Sequence, residues 1–226
     1  MPPARGGIHS HRSKTWSEAI IKTDIYLLRH GEIAASRPFR FLGQGDPALT
    51  DKGLTQIAEV AEIFRARPFG LILSSDLQRC RISAEIIAAR TSGQPPRLDA
   101  GLREINLGAW EGLSVEEVRR RFPGAYEQRG ASPAEYAPEG GESFRRLQER
   151  AAASLEKAIR LGGAENNAVL IVTHAGVSRV LMAQILQMPL QAIFRLEHYY
   201  AHIHHIRAEH GRFQVLGLNL PARSFA

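Results

Sequence analysis

Short continuous apolar runs alternate along the chain with longer stretches in which apolar residues recur at helical spacing. The first run, Ile25-Tyr26-Leu27-Leu28, ends in Arg29-His30-Gly31, and this predicts a buried strand over residues 24–30. Thr50 is placed to cap a helix whose inward positions would be Leu54, Ile57, Ala61 and Phe64, with Pro68 and Gly70 ending it. Residues 71–75 form the next apolar run, after which Ser75 and Asp76 are predicted to cap a helix reaching about Arg90. A third strand is expected over residues 97–99, followed by an irregular segment through Trp110. Ser114 and Glu117 form a capping-box pattern for a short helix that stops before Pro123. Prolines and glycines then punctuate residues 123–141, an excursion of the kind that is functional or mobile. A long helix over 143–161 is ended by Gly162 and Gly163, and residues 168–174 give the clearest strand in the chain. A helix opened by Gly176 should run to about Gln187, before Pro189, and a hairpin is expected from residues 200–206 and 213–218 around Gly211.

This alternation predicts an α/β layered domain, a three-layer α/β/α sandwich around a mostly parallel sheet. No repeat interrupts it, and the length of 226 residues suits one domain. Residues 24–220 are expected to form that domain. Residues 1–23 read as an N-terminal extension, disordered or partly helical around residues 16–21. No run approaches the roughly 18 apolar residues that cross a bilayer, and the N-terminus lacks the basic-then-apolar plan of a secretory signal. A cytoplasmic protein is therefore expected. The single cysteine, Cys80, excludes an intramolecular disulfide and any multi-cysteine zinc site.

The charge changes the picture of partners. The chain carries 29 basic and 23 acidic side chains, a net charge of +6. Arg5, Arg12, Lys14 and Lys22 against Glu18 put +3 of it in the first 23 residues. The body shows no basic block interleaved with aromatics. That distribution fits a small phosphorylated substrate better than nucleic acid or a membrane. A homodimer is left open.

Candidate chemistry sits at two strand ends of the same plan, Leu28-Arg29-His30-Gly31-Glu32 and Val172-Thr173-His174-Ala175-Gly176. In open α/β sheets ligands gather beyond the carboxyl ends of the strands, so adjacent strands would deliver both imidazoles to one crevice. The glycines let backbone approach a ligand, and a helix starting at Gly176 would offer free N–H groups to an anion. Arg79, in the first turn after residues 71–75, could join Arg29 in clamping phosphate oxygens. Glu104, in Leu102-Arg103-Glu104-Ile105-Asn106-Leu107-Gly108, adds a carboxylate. Each residue alone reads as structural: a hydrogen-bonded strand-end histidine, a solvated helix charge, a loop acid. Together they suit phosphoryl transfer with no metal and no cofactor.

With these residues the chain resembles the histidine phosphatase (phosphoglycerate mutase-like) superfamily. Leu28-Arg29-His30-Gly31-Glu32 is similar to its signature, and Gly43-Gln44-Gly45-Asp46 through Thr50 and Gly53 to its phosphate-loop and helix-start pattern. Ser74-Ser75-Asp76-Leu77-Gln78-Arg79 resembles its second arginine motif. Glu104 with Gly108, Trp110 and Gly112 resembles its acid/base segment, and Gly140-Gly141-Glu142-Ser143 and His174 complete the set. The resemblance implies His30 as nucleophile, Arg29, Arg79 and His174 as the phosphate pocket, and Glu104 as proton donor. It implies substrate contacts from Ser36, Arg40, Gly43 and Gln44. Ile33 and Ser36 depart from the family pattern, which bears on substrate choice.

The implied activity is hydrolysis of a small phosphomonoester through a phosphohistidine. The alternatives are a phosphoglycerate mutase-type phosphotransferase, whose longer insertion this chain lacks between Glu104 and His174, and a non-catalytic module for phosphorylated ligands. The Gly43-Gln44 loop and the length are similar to bacterial small-molecule phosphatases, including α-ribazole phosphatases. Residues 123–141 are the expected lid. His198, His202, His204 and His205 are read as ordinary strand and loop histidines rather than a zinc site, Cys80 as a small packed residue, and Trp110 as packing behind Glu104.

Overall fold

A computed structural model describes residues 22–34, 40–91, 93–162 and 168–226. The expected extension lies almost wholly outside the described residues, and so does Ser36. Six strands and six α-helices alternate through the described chain: β1 (Thr23–Arg29), α1 (Asp51–Ile63), β2 (Leu71–Ser74), α2 (Gln78–Thr91) and β3 (Arg97–Leu98) come first. Then follow α3 (Val115–Arg121), α4 (Ala125–Ala131), α5 (Phe144–Gly162), β4 (Ala168–Thr173), α6 (Ala175–Ile185), β5 (Ile203–Glu209) and β6 (Arg212–Leu220).

The strands form one sheet in the order β3-β2-β4-β1-β5-β6. β1, β2, β3 and β4 pair in parallel, and the β5–β6 hairpin is added antiparallel at the β1 edge. Alternate residues of the parallel strands feed different layers. Ile25, Leu27, Val169 and Ile171 pack with Leu147, Leu155, Val177 and Leu181 of α5 and α6. Tyr26, Leu28, Leu170 and Val172 pack with Ile57, Val60, Ala84 and Ile87 of α1 and α2. Helices therefore cover both sheet faces, giving the three-layer α/β/α architecture that the alternation predicted.

Several boundaries differ for stated reasons. Leu54, expected on the inner face of α1, is 39% exposed. Ile57, Ala61 and Phe64 are buried as expected, and Gly53 and Val60 join them on the inner face. Gly53 takes the inner place because a Cβ there would stand 2.1 Å from the Glu32 carbonyl oxygen. Asp76 does not cap α2. It pairs with Arg103 (Nε–Oδ1 2.7 Å), and the Gln78 N–H donates to Asp46 Oδ2 at 2.6 Å from the loop before α1. The excursion expected over 123–141 holds a helix of its own, α4, entered through Gly124 at φ 78°, where a side chain would be strained. Among the described residues no helix is long and apolar enough to cross a membrane.

Candidate active site

β1 and β4 lie side by side with Arg29 opposite Thr173, so the next residue of each chain segment is one of the two histidines. The His30 N–H donates to the Thr173 carbonyl at 3.1 Å, and the two imidazole centroids stand 5.2 Å apart. His30 and His174 are 3% and 1% exposed. His30 Nδ1 lies 2.7 Å from the Gly31 carbonyl oxygen. A carbonyl only accepts, so Nδ1 carries the proton and the lone pair is on Nε2. Burial first, then the positive charges of Arg29 and Arg79, hold the His30 pKa well below its ordinary value. The same causes, burial ahead of Arg79, keep His174 neutral. His174 Nε2 lies 3.0 Å from the Ser75 hydroxyl and 3.4 Å from Cys80 Sγ. The Cys80 thiol is buried and its pKa pushed well up by that burial, consistent with packing rather than redox work.

Arg29 and Arg79 flank the pair. Arg29 Nη1 donates to the His198 carbonyl at 2.6 Å, with its guanidinium 3.8 Å from the Tyr200 ring centroid. Arg79 donates to the carbonyls of Gly45 (2.7 Å) and Gly43 (2.8 Å) and pairs with Asp46 at 3.2 Å. The Nε–H of each arginine is buried without a partner among the described residues, as expected where an anion's oxygens are to be met. Asp46 thus caps α2 and orients the arginine on that helix. The resemblance had placed Asp46 in the phosphate-loop pattern, but these contacts were not legible because both join residues more than 30 positions apart.

Glu104 reaches the same place from the irregular segment. Its Oε1 accepts from the Ile105 N–H at 2.9 Å and its Oε2 from the Gly176 N–H at 3.0 Å. The helix start expected to greet an anion with free N–H groups therefore has the Gly176 one engaged by Glu104. A Cβ at Gly176 would lie 2.2 Å from Glu104 Oε1, so glycine is what admits the carboxylate. No strand ladder supports this stretch. Arg150, on α5, instead donates to the carbonyls of Gly101 (2.9 Å), Arg103 (2.6 Å) and Glu104 (3.0 Å) and pairs with Glu142.

The loop residues Gly43 and Gln44 stand one step back. The N–H groups of Gly43, Gln44 and Gly45 donate to the carboxylate of Glu111 at 2.9, 3.2 and 3.0 Å. The Gly43 and Gly45 carbonyls face Arg79, and Gln44 Nε2 donates to the Glu104 carbonyl at 3.2 Å. Glu111, given no role from the sequence, makes the loop a holder of the arginine. Arg40 lines the cavity with its charge shared by Glu117 (2.9 Å) and the Gly112 carbonyl (2.8 Å).

The cavity over these groups measures about 570 Å³ and is lined by Arg29, His30, Arg79, Glu104 and Gly176 on its floor. Arg40, Tyr126, Arg129, Arg179 and Tyr200 stand among its walls, and of these only Arg40 was singled out from sequence. A larger hollow of about 800 Å³ beside α5, α6 and the β5–β6 hairpin contains none of the candidate residues. The C-terminal histidines do not line the cavity, although the His198 carbonyl holds Arg29. His198 and His204 lie with ring centroids 4.0 Å apart and planes tilted by 37°, His204 Nδ1 accepting from the Asn219 N–H. Among the described residues no group of three or more histidines, cysteines or carboxylates could hold a metal ion. Trp110 is 1% exposed and belongs to the core beside Leu102, Ile105 and Leu107, the segment that carries Glu104.

A family model described as histidine phosphatase superfamily (branch 1) matches residues 25–221. The chain belongs to that superfamily. Among its relatives is a glucosyl-3-phosphoglycerate phosphatase of Mycolicibacterium vanbaalenii, 33% identical over 74% of this chain and 75% of that one. A probable phosphoglycerate mutase of Salmonella paratyphi B is 34% identical over 76% of this chain and 79% of its own. The structure described as a putative alpha-ribazole-5'-P phosphatase from Escherichia coli superposes with a TM-score of 0.79, covering 87% of this chain and 96% of that one. At 22% identity that likeness concerns the fold. Membership of the histidine phosphatase superfamily carries the enzyme class expected from the sequence, a hydrolase of the phosphatase kind.

Proposed function

We propose that this enzyme hydrolyses a small phosphomonoester through a phosphohistidine on His30, with Glu104 as the proton donor. The observation that carries the reading is a buried, neutral His30 whose Nδ1–H is fixed on the Gly31 carbonyl, leaving Nε2 as nucleophile beside Arg29 and Arg79. Nε2 attacks phosphorus, the P–O bond to the alcohol breaks, and Glu104 delivers a proton to the departing alkoxide. Arg29, Arg79 and His174 stabilise charge on the equatorial oxygens, in a site kept dry by burial. The Glu104 carboxylate then takes a proton from water, which attacks the phosphohistidine, releasing inorganic phosphate and restoring both residues. Gly43 and Gln44 serve by holding Arg79 and the Glu104 backbone, and Arg40 by facing the alcohol portion of the ester.

Denaturing quench during turnover should trap a phosphoryl group that is labile to acid and stable to alkali, as an N-linked phosphate is. His30→Ala should lose it, together with turnover by on the order of 10⁴-fold or more, as when other covalent nucleophiles are removed. Vanadate, which mimics five-coordinate phosphorus, should inhibit. An undiminished His30→Ala enzyme would sink the nucleophile assignment. The mutase-named relative supports a second reading, transfer of the phosphoryl group back to a sugar acid. Phosphate release from 3-phosphoglycerate, set against its isomerisation, separates the two.

A further inference from the structure

Arg29 and Arg79 line the same cavity floor and are held in different ways. Arg79 pairs with Asp46 and donates to the Gly43 and Gly45 carbonyls. The Arg29 guanidinium makes one hydrogen bond among the described residues, from Nη1 to the His198 carbonyl at 2.6 Å. One such contact fixes a point of the group and leaves the plane of its five donors free to turn. The Tyr200 ring removes that freedom. Its centroid stands 3.8 Å from the guanidinium carbon, a separation at which a planar cation lies along a ring face with its N–H groups directed sideways. Burial is the first cause lowering the Arg29 pKa, so the ring also offsets part of the cost of withdrawing this cation from water.

The backbone ties Tyr200 to the nucleophile. The Ala201 N–H lies 3.1 Å from the Arg29 carbonyl and 3.2 Å from the His30 carbonyl, and the Arg29 N–H donates to the His202 carbonyl at 3.1 Å. His198 Nε2 lies 2.7 Å from that same carbonyl, closing the turn on itself. Ala201 is 7% exposed and sits at φ 55°, a left-handed conformation that alanine rarely adopts. Of the two adjacent tyrosines, Tyr199 is exposed, and Tyr200 is the one this turn delivers to the cavity, its ring centroid 5.5 Å from that of His30.

We propose that Tyr200 is a positioning residue for Arg29, its ring face holding the guanidinium plane so that the buried, unpartnered Nε–H edge meets an oxygen of the phosphoryl group in transfer. The proposal rests on the phosphatase reading of the same cavity and adds how one of its two floor arginines is oriented without an ion pair. A strained backbone turn sets the ring, and the ring sets the cation.

The test compares Tyr200→Phe, which keeps the ring face, with Tyr200→Leu, which removes it, both in the full chain. Inhibition constants for vanadate and for inorganic phosphate are measured beside kcat and KM on p-nitrophenyl phosphate. Tyr200→Leu should weaken vanadate by about tenfold, the scale of a cation–π contact withdrawn from water, and lower kcat in parallel. Inorganic phosphate and KM should move less, because the transferring group makes the larger demand on a fixed donor plane. Tyr200→Phe should stay near wild type. In an Arg29→Met background, Tyr200→Leu should lower kcat no further. A vanadate constant indifferent to Tyr200→Leu overturns the proposal, as does an equal loss for vanadate and phosphate, or a leucine effect that persists in full without Arg29. A phenylalanine variant as impaired as the leucine variant overturns the assignment to the ring face. Should Tyr200→Leu fail to fold by its thermal melt, Tyr200→Met takes its place under the same criteria. Wild-type enzyme that neither hydrolyses p-nitrophenyl phosphate nor binds vanadate sinks the phosphatase reading, whereas an active wild type with an indifferent Tyr200→Leu sinks the positioning role alone.

Discussion

His30 and Arg79 on the floor of the cavity are 3% and 2% exposed, while Arg40 and Arg129 on its outer wall are only partly buried. The floor is held by backbone: Gly31 fixes His30, Gly43 and Gly45 fix Arg79, and Gly176 fixes Glu104. The wall is held by side chains on two helices of seven residues each, through Arg40–Glu117 and the rings beneath Arg129. Backbone contacts tolerate almost no displacement, whereas ion pairs and ring contacts on short helices can change with little effect on the rest of the fold. On the proposed function, bond breaking and choice of ester would fall to parts of the molecule that can vary independently.

The strongest way to break this division is Gly176→Ala. The added methyl would occupy the place of Glu104 Oε1, 2.2 Å away, and drive the carboxylate out. Turnover of an alkyl phosphate should fall by about 10²-fold or more, the worth of positioned proton transfer. p-Nitrophenyl phosphate, whose leaving group needs no proton, should suffer much less. Equal losses on both esters would remove Glu104 from the acid's role.

A middle-sized effect should appear in acid stability, because burial holds histidines neutral both at the floor and beneath it. His30, His174, His198 and His204 all have lowered pKa values with burial as the first cause, that of His204 to about 4. Such a group binds fewer protons folded than unfolded. Its stabilisation is whole above the ordinary histidine pKa near 6.5 and is lost as pH falls toward the folded value. The melting temperature should therefore decline steadily from about pH 6.5 to pH 4. His204→Asn, which keeps an acceptor for the Asn219 N–H, should flatten that decline. An unchanged slope would show that His204 titrates freely.

The smallest effect belongs to the wall. Ser114 and Glu117 form a reciprocal cap at the start of α3. Ser114→Ala should cost about 1 kcal/mol, or roughly 2–4 °C of melting temperature in a domain of this size. Trapped phosphohistidine should persist in that variant. Its loss would mean that floor and wall are more tightly coupled than their contacts indicate.

The floor was also the more legible half. Apolar runs ending at His30 and His174 reveal strands, and strand ends in a parallel sheet converge by topology alone, so these groups were readable without coordinates. The capping box at Ser114 was readable because its partners are three residues apart. The contacts of Glu111, Asp46 and Arg129 were not. Glu111 meets the Gly43 loop across 68 residues of sequence, and nothing local in either segment anticipates it. Asp76, a better cap by proximity, was drawn away by Arg103, leaving Asp46 to take its place. Leu54 satisfied helical spacing yet points outward, because the close approach of Gly53 to Glu32 sets which side of α1 turns inward. Arg129 looked like any loop charge until the rings around it were assembled from three separate segments.

Arg150 explains how a stretch without pleat or coil can still present Glu104. One guanidinium gathers three successive-region carbonyls that a neighbouring strand would otherwise have engaged. Free of a ladder's flatness, this stretch turns an acidic side chain toward the beginning of α6, more than 70 residues further along the chain.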